Sequence, residues 1–428
     1  MVKQTQQIIL ENLEADFDKI KEDNSWSFED LSRKDTSYAS HGYHRYPAKF
    51  IPQLARRCIL ENSDEGDLII DPFCGCGTAL VESLIQGRRS IGTDINPVAI
   101  LISTAKTTPI EPEKLSKEKE RLFKSIENNQ EHKQEKFNER IVYWFPYEDI
   151  RLKLSSILHQ INLVEDKDLR TFFLCGFSHI LKNCSIWRAN SNKPTRDFNK
   201  KQQDPIKTFR RHINGMERGN SELYNLTLNK LLKQNKAVLS DARKIPTKEG
   251  TAKMIVTSPP YVTSYEYADL HQLTALWLQY VDSLAEFRKG FIGSRHKQDI
   301  DHNGIKSELA KETIEKLSLQ SRKEGLGTKN YFLEMQECFE EMYRVLEPKG
   351  KAFIVIGNTR IKGVDILNAE IFVEIMNNIG FKTYKIIKRV VPSKTLPQTR
   401  DSETGRFATS EDADRLAYNY EFILVMQR

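Results

Sequence analysis

The sequence predicts an α/β fold: a mostly parallel sheet covered by helices on both faces, with a largely helical insertion. Three observations predict it. A run of consecutive apolar residues, Leu68-Ile69-Ile70, ends in Asp71 and a glycine-rich turn. Such a run lacks the alternation of a half-solvated strand and suits one buried on both faces. Helical segments then alternate with further short apolar strands, the order expected of crossover connections. Finally, the alternation breaks off near residue 105 and resumes near residue 236.

The elements follow in order. Leu68 to Asp71 reads as a strand, and Thr78 to Gln86 as a helix closed by Gly87. Arg89 to Ile95 reads as the next strand, and Ala237 to Leu239 and Met254 to Thr257 as two more. Tyr265 to Tyr280 has helical spacing, with Leu270, Leu273, Trp277 and Leu278 on one face. Tyr331 to Leu346 repeats that spacing through Phe332, Met335, Phe339 and Met342, and stops at Pro348 and Gly350. Ala352 to Ile356, Thr383 to Val391 and Phe422 to Met426 complete the strands. Residues 1–40 are polar and read as a peripheral arm. Residues 41–104 and 236–428 read as one catalytic domain, and 105–235 as an inserted helical and basic region. A second interruption, Asp282 to Asn330, is polar and punctuated by glycine.

Composition narrows the function classes. With 39% hydrophobic and 29% charged residues, the 428-residue chain can bury a large core. No apolar run approaches the roughly 20 residues that span a bilayer, and the N-terminus lacks a signal-peptide pattern. Six scattered cysteines form no CxxC pair, which suits a reducing cytoplasm and argues against a disulfide framework or a metal site. The formal net charge of +6 permits a polyanionic partner without requiring one.

Three segments carry chemistry. In Asp71-Pro72-Phe73-Cys74-Gly75-Cys76-Gly77-Thr78, glycines between strand and helix let the backbone approach a ligand closely. Asp94 closes the next strand, where an acidic side chain can hold a ribose diol, and Asn96 follows it. A third glycine of the dinucleotide type is missing, and a purely structural turn would look similar. The second segment is Thr257-Ser258-Pro259-Pro260-Tyr261. Its prolines remove two amide donors and leave a stiff row of acceptors beside an aromatic ring. That arrangement suits an amino group donating hydrogen bonds while its ring stacks, although a proline-rich exit from a strand would read alike. The third, His44-Arg45-Tyr46-Pro47-Ala48-Lys49-Phe50, is by itself only a loop entering a helix.

Taken together and in this order, the three segments resemble the DNA amino-methyltransferases, which act on N4 of cytosine or N6 of adenine. The resemblance spans about Tyr43–Thr104 and Lys236–Arg428. It implies a Rossmann-like class I methyltransferase sheet and S-adenosyl-L-methionine as cofactor. It places Tyr46, Pro47, Ala48, Lys49 and Phe50 over the amino-acid end of that cofactor. Asp71, Phe73, Gly75, Gly77 and Thr78 would wrap the methionine moiety, with Asp94 at the ribose, Asp241 at the adenine and Asn96 also among the cofactor-binding residues. Ser258, Pro259, Pro260 and Tyr261 would be catalytic, with Ser258 and the Pro259 carbonyl orienting the target amine. Serine as the first residue of the tetrapeptide favours cytosine N4, with adenine N6 as the alternative. Methylation at cytosine C5 would need a thiolate in a Pro-Cys context, which is absent.

Double-stranded DNA is the expected partner; the resemblance implies a restriction-modification or defence setting, in which a cognate endonuclease is a candidate second partner. The segment 188–218 holds nine Lys/Arg against three Asp/Glu. Its Arg188, Lys193, Arg196, Lys200, Lys201, Lys207, Arg210 and Arg211 are candidate DNA contacts, although a solvated basic loop would look the same. The loop Pro392 to Phe407, with Lys394, Arg400 and Arg406, is a second candidate, and Asp282 to Asn330 a third. Tyr143, Trp144 and Phe145 read as core rather than as a stacking platform. An RNA amino-methyltransferase, a catalytically silent DNA-binding subunit and a nicotinamide oxidoreductase remain as other classes; the last would leave Ser-Pro-Pro-Tyr unexplained.

Overall fold

The computed structural model describes residues 17, 19–47, 49–128, 136–191, 193–228, 230, 234–262, 267–293, 304–391, 399–400, 415–416 and 420–428. After helix α1 (Pro52–Asn62), the first βαβ unit is β1 (Leu68–Asp71), α2 (Thr78–Ile85) and β2 (Arg89–Asp94). Both β1 and α2 are buried along their whole length, as a central strand and its crossover helix must be. Next come α3 (Pro97–Thr107) and the inserted helices α4 (Pro112–Asn128), α5 (Glu139–Trp144), α6 (Glu148–Asn162), α7 (Lys167–Cys184) and α8 (Pro205–Thr227). The sheet resumes with β3 (Asn235–Leu239) and β4 (Ala252–Thr257). Helices α9 (Tyr267–Leu270), α10 (Gln272–Trp277), α11 (Leu284–Gly290), α12 (Glu308–Gln320) and α13 (Arg322–Val345) lead to β5 (Leu346–Ile356). The chain closes with α14 (Asn368–Ile379), β6 (Lys382–Val390) and β7 (Tyr420–Gln427).

Seven strands form one sheet in the order β3-β2-β1-β4-β5-β7-β6. β1 lies between β2 and β4, parallel to both, with Ile69 opposite Ser90 on one side and Met254 on the other. The chain therefore leaves β1 in one direction and returns in the other, opening a crevice beyond the carboxyl ends of β1 and β4. β7 alone runs antiparallel, inserted between β5 and β6. The expected class I methyltransferase architecture is present.

Four local expectations change. Tyr265 to Tyr280 is not one helix: α9 and α10 are separated at His271, whose ring turns toward Asn96 and Tyr46. The helix expected from Tyr331 begins at Arg322, where Ser321 accepts from the amide of Glu324. Most of the stretch read as a glycine-punctuated interruption is helical where it is described. Gly325 there is a packing residue: a Cβ on it would lie 2.1 Å from Ser318 Oγ. The described part of the N-terminal arm is anchored as well. Trp26 is buried in the core, Asp23 N donates to Lys388 O, and Glu22 bridges to Lys388, covering the otherwise open β6 edge.

The inserted helices do not stand apart. Trp144, Phe173, Phe177 and Phe209 share one buried cluster with Val98 and Ile102 of α3 and Leu273 and Trp277 of α10. Trp144 and Phe145 are core, whereas Tyr143 is exposed. Among the described residues, no helix is long and apolar enough to cross a membrane.

Candidate active site

All three chemistry-bearing segments converge on the crevice at the switch point and line one cleft. Tyr46, Lys49 and Phe50 line one wall; Asp71, Phe73, Gly75 and Thr78 form the floor; Asp94, Asp241, Ser258 and Pro260 complete the polar rim. The glycine-rich turn is shaped for close approach. Gly75 has φ +47° and an added Cβ would meet the Tyr46 ring at 3.1 Å; Gly77 has φ +74° and would meet Ser103 Cβ at 2.8 Å. Lys106, fully buried on α3, donates to Cys76 O at 2.8 Å and ties the turn to that helix.

Two carboxylates dominate the electrostatics. Asp71 accepts from Thr257 Oγ1 at 2.6 Å and from its neighbour Phe73 N at 3.2 Å. Asp94 accepts from Gly75 N at 3.0 Å and Asn96 N at 2.9 Å. Burial pushes the Asp71 carboxyl up to about 7, with Asp94 adding to it, and pushes Asp94 up to about 6. Hydrogen bonds to each oppose the shift without cancelling it. Among the described residues, no cation pairs with either carboxylate. Asp241 differs: Arg243 forks onto it at 2.9 and 2.6 Å.

The catalytic candidates sit where β4 meets β5. Ser258 Oγ donates to Val355 O at 3.1 Å, so its lone pairs, not its proton, are left for an incoming group. Pro259 is buried, and the Pro260 carbonyl accepts from Tyr331 Oη at 2.7 Å. The Tyr261 ring lies against Gly357, where an added Cβ would come within 3.3 Å, and its hydroxyl donates to Glu421 at 3.3 Å. Neither Pro259 nor Tyr261 lines the cleft; the Tyr261 ring is held between Gly357, just after β5, and Glu421 of β7.

Several candidates fall elsewhere. Asn96 does not line the cleft; its Oδ1 caps α3 through Val98 N and its Nδ2 meets His271. Gly77 shapes the turn from outside the cleft, Pro47 is not part of its wall, and Ala48 lies outside the described residues. Lys200 is no surface cation: its Nζ donates to the carbonyls of Lys182, Ser185 and Trp187 within 2.8 Å, closing the end of α7. Arg210 pairs with Glu127, and Arg211 donates to Gln203. Arg188, Lys193, Arg196, Lys201 and Lys207 are exposed. The loop Pro392 to Phe407 lies outside the described residues, apart from the Thr399–Arg400 strand paired with Arg415–Leu416.

Sequence reasoning missed part of the wall. Ile95, Ala242, Tyr267 and the run Gly290-Phe291-Ile292 also line the cleft. Phe291 and Ile292 fall in a stretch read as a polar interruption, where their two apolar side chains side by side were the available signal.

The comparisons agree with this geometry. The chain matches the family described as DNA methylase, of the N6/N4 type, over residues 2–105 and 252–428. It is 29% identical over 401 residues to the type II methyltransferase M.MvaI of Kocuria varians, covering 87% of this chain and 88% of that one. To the type II methyltransferase M.BsoBI of Geobacillus stearothermophilus it is 26% identical over 433 residues, covering 84% and 83%. A shorter likeness reaches a tRNA (guanine(10)-N2)-dimethyltransferase of Methanocaldococcus jannaschii, 42% identical over 52 residues, 12% of this chain and 15% of that one. The family match covers well over half of the sequence and takes in all three segments that meet in the cleft: this chain belongs to the N6/N4 DNA methylase family and is an S-adenosylmethionine-dependent DNA methyltransferase.

Proposed function

We propose that this enzyme methylates N4 of cytosine in duplex DNA, at a specific sequence, as the modification partner of a restriction endonuclease. The observation that carries the mechanism is the orientation of Ser258. Because its proton is committed to Val355 O, the hydroxyl can only accept from a target amine. Among the described residues the Pro259 carbonyl has no hydrogen-bond donor, and it supplies a second acceptor on the same rigid turn. An exocyclic NH2 held by two acceptors turns its nitrogen lone pair out of conjugation and toward the cleft. Tyr261 supports the base by stacking once it has left the duplex.

The cleft fits the cofactor. Asp71 and Asp94, without cationic partners among the described residues, suit a ligand that brings positive charge and a ribose diol. Gly75 lets such a ligand lie against the backbone, with Tyr46 and Phe50 over it and Asp241 at the adenine. When bound, S-adenosylmethionine supplies the electrophilic methyl group. The residues here hold it, keep out water and align the amine; no covalent enzyme intermediate is needed.

Serine in place of a stronger carboxylate or amide acceptor favours cytosine, and adenine N6 is the second reading. Arg188, Lys193, Lys201 and Lys207 are offered as phosphate contacts, and the type II naming of the relatives motivates the restriction setting. The test is mass spectrometry of nucleosides after incubating DNA and RNA with enzyme and cofactor. N4-methylcytosine in DNA is expected. N6-methyladenine would overturn the reading of Ser258, and methylation confined to RNA would overturn the substrate.

A further inference from the structure

We propose that Arg196 is a base-reading residue, presenting the edge of its guanidinium to O6 and N7 of a guanine in the recognition sequence. The inference rests on the DNA reading above and says how one side chain serves it. Among the cationic candidates of the insertion, Arg196 is distinguished by its surroundings. Its guanidinium carbon lies 3.9 Å from the ring centre of Tyr143 and 5.0 Å from that of Phe198, and both rings are exposed. Arg140 stands 4.9 Å from the same Tyr143 ring. Among the described residues no carboxylate pairs with Arg196, whereas Arg210 pairs with Glu127. Exposed aromatic rings beside an unpaired arginine restrict the plane of the guanidinium and leave its N–H edge to solvent.

The loop that bears it is braced. Arg196 bridges to Trp187, Arg188 N donates to Thr195 O at 2.9 Å, and Asp197 N donates to Ile186 O at 2.7 Å. Lys200 pins the following turn to the end of α7. Trp187 stacks on Trp144 with ring centres 5.0 Å apart, and Trp144 Nε1 donates to Gln272 at 2.9 Å. Gln272 follows His271, whose ring lies 5.0 Å from that of Tyr46 on the cleft wall. Arg196 is therefore connected to the wall of the active site through a backbone bridge, a tryptophan stack and a hydrogen bond to Gln272. A planar fork held in this way matches the paired acceptors of guanine in the major groove; a flexible lysine does not.

The experiment uses the full chain and a duplex carrying its mapped site, with each guanine replaced in turn by 7-deazaguanine, which lacks the N7 acceptor. For the unmodified enzyme, kcat/KM is expected to fall on the order of tenfold to a hundredfold at one guanine. Arg196→Lys should lose a similar factor on the ordinary duplex, bind cofactor normally, and show no further loss at that guanine. Three results overturn the proposal. Arg196→Lys could respond to 7-deazaguanine as the unmodified enzyme does, no guanine could be sensitive, or Arg196→Lys could leave kcat/KM on the ordinary duplex within about twofold, since lysine keeps the charge that a phosphate contact needs. The last would make Arg196 a phosphate contact. DNA left unmethylated by the unmodified enzyme would instead remove the DNA reading itself.

Discussion

Lowering the pH from 7.5 to 5.5 should weaken cofactor binding on the order of a hundredfold, because the role proposed for the cleft carboxylates requires them ionised. Asp71 is held near 7 and Asp94 near 6, in both cases chiefly by burial. Each raised carboxyl loses roughly tenfold in ionised population per pH unit below its pKa, so Asp71 contributes a factor of about 25 across this window and Asp94 about 4. The sign for stability is opposite. A carboxyl raised above its unfolded value favours the folded protein most below the unfolded pKa, and that contribution is lost as pH rises through the folded pKa. Cofactor-free protein therefore gains from these two groups on acidification, while the gain in stability on adding cofactor shrinks. Isothermal titration calorimetry across the window measures both the affinity and the proton release that must accompany binding near pH 6.5. Asp71→Asn should bind weakly already at pH 7.5 and keep only the fourfold dependence of Asp94. Affinity constant within threefold from pH 7.5 to 5.5, or Asp71→Asn binding normally, would refute the assignment of these carboxylates to the cofactor.

Further perturbations test other parts of the molecule. Ser258→Ala and Tyr261→Ala should leave cofactor affinity within about threefold while single-turnover methyl transfer falls on the order of a hundredfold or more; near-normal transfer in both would remove the catalytic assignment. Gly77→Ala forces a side chain into left-handed backbone against Ser103 and should cost about 2–4 kcal/mol in urea unfolding; no loss would mean the turn relaxes freely. Glu82 is fully buried and joins His41, Tyr38 and Arg56. Burial works against its ionisation, but these bonds outweigh it and hold its carboxyl below the ordinary glutamate value. Its contribution is thus present above the unfolded pKa and lost as pH falls. Glu82→Ala should destabilise by about 2–4 kcal/mol, less than a fully buried pair because Arg56 remains partly hydrated; a change below 0.5 kcal/mol, an approximate noise level for such data, would contradict this.

Local chemistry along the chain was enough to read much of the catalytic half. The uninterrupted apolar run of β1, the glycine-rich turn after it, Asp94 at the end of β2 and Ser-Pro-Pro-Tyr after β4 are each made by covalent neighbours. Their backbone preferences act within a few residues, and so the strands and the floor of the cleft could be placed from sequence. Contacts between distant residues were decided only by the tertiary structure. Asn96 carries the same amide wherever it stands, but packing against His271 spends it on structure. Lys200 and Arg196 read alike as positive charges in one basic loop. Folding ties the first to three carbonyls and sets the second, unpaired among the described residues, beside two rings. Gly325 looked like a loop breaker until a second helix packed against it, and Phe291 with Ile292 reached the cleft only through the path of α11. Composition and spacing determine what a residue can do; which partner it meets depends on where the rest of the chain comes to lie.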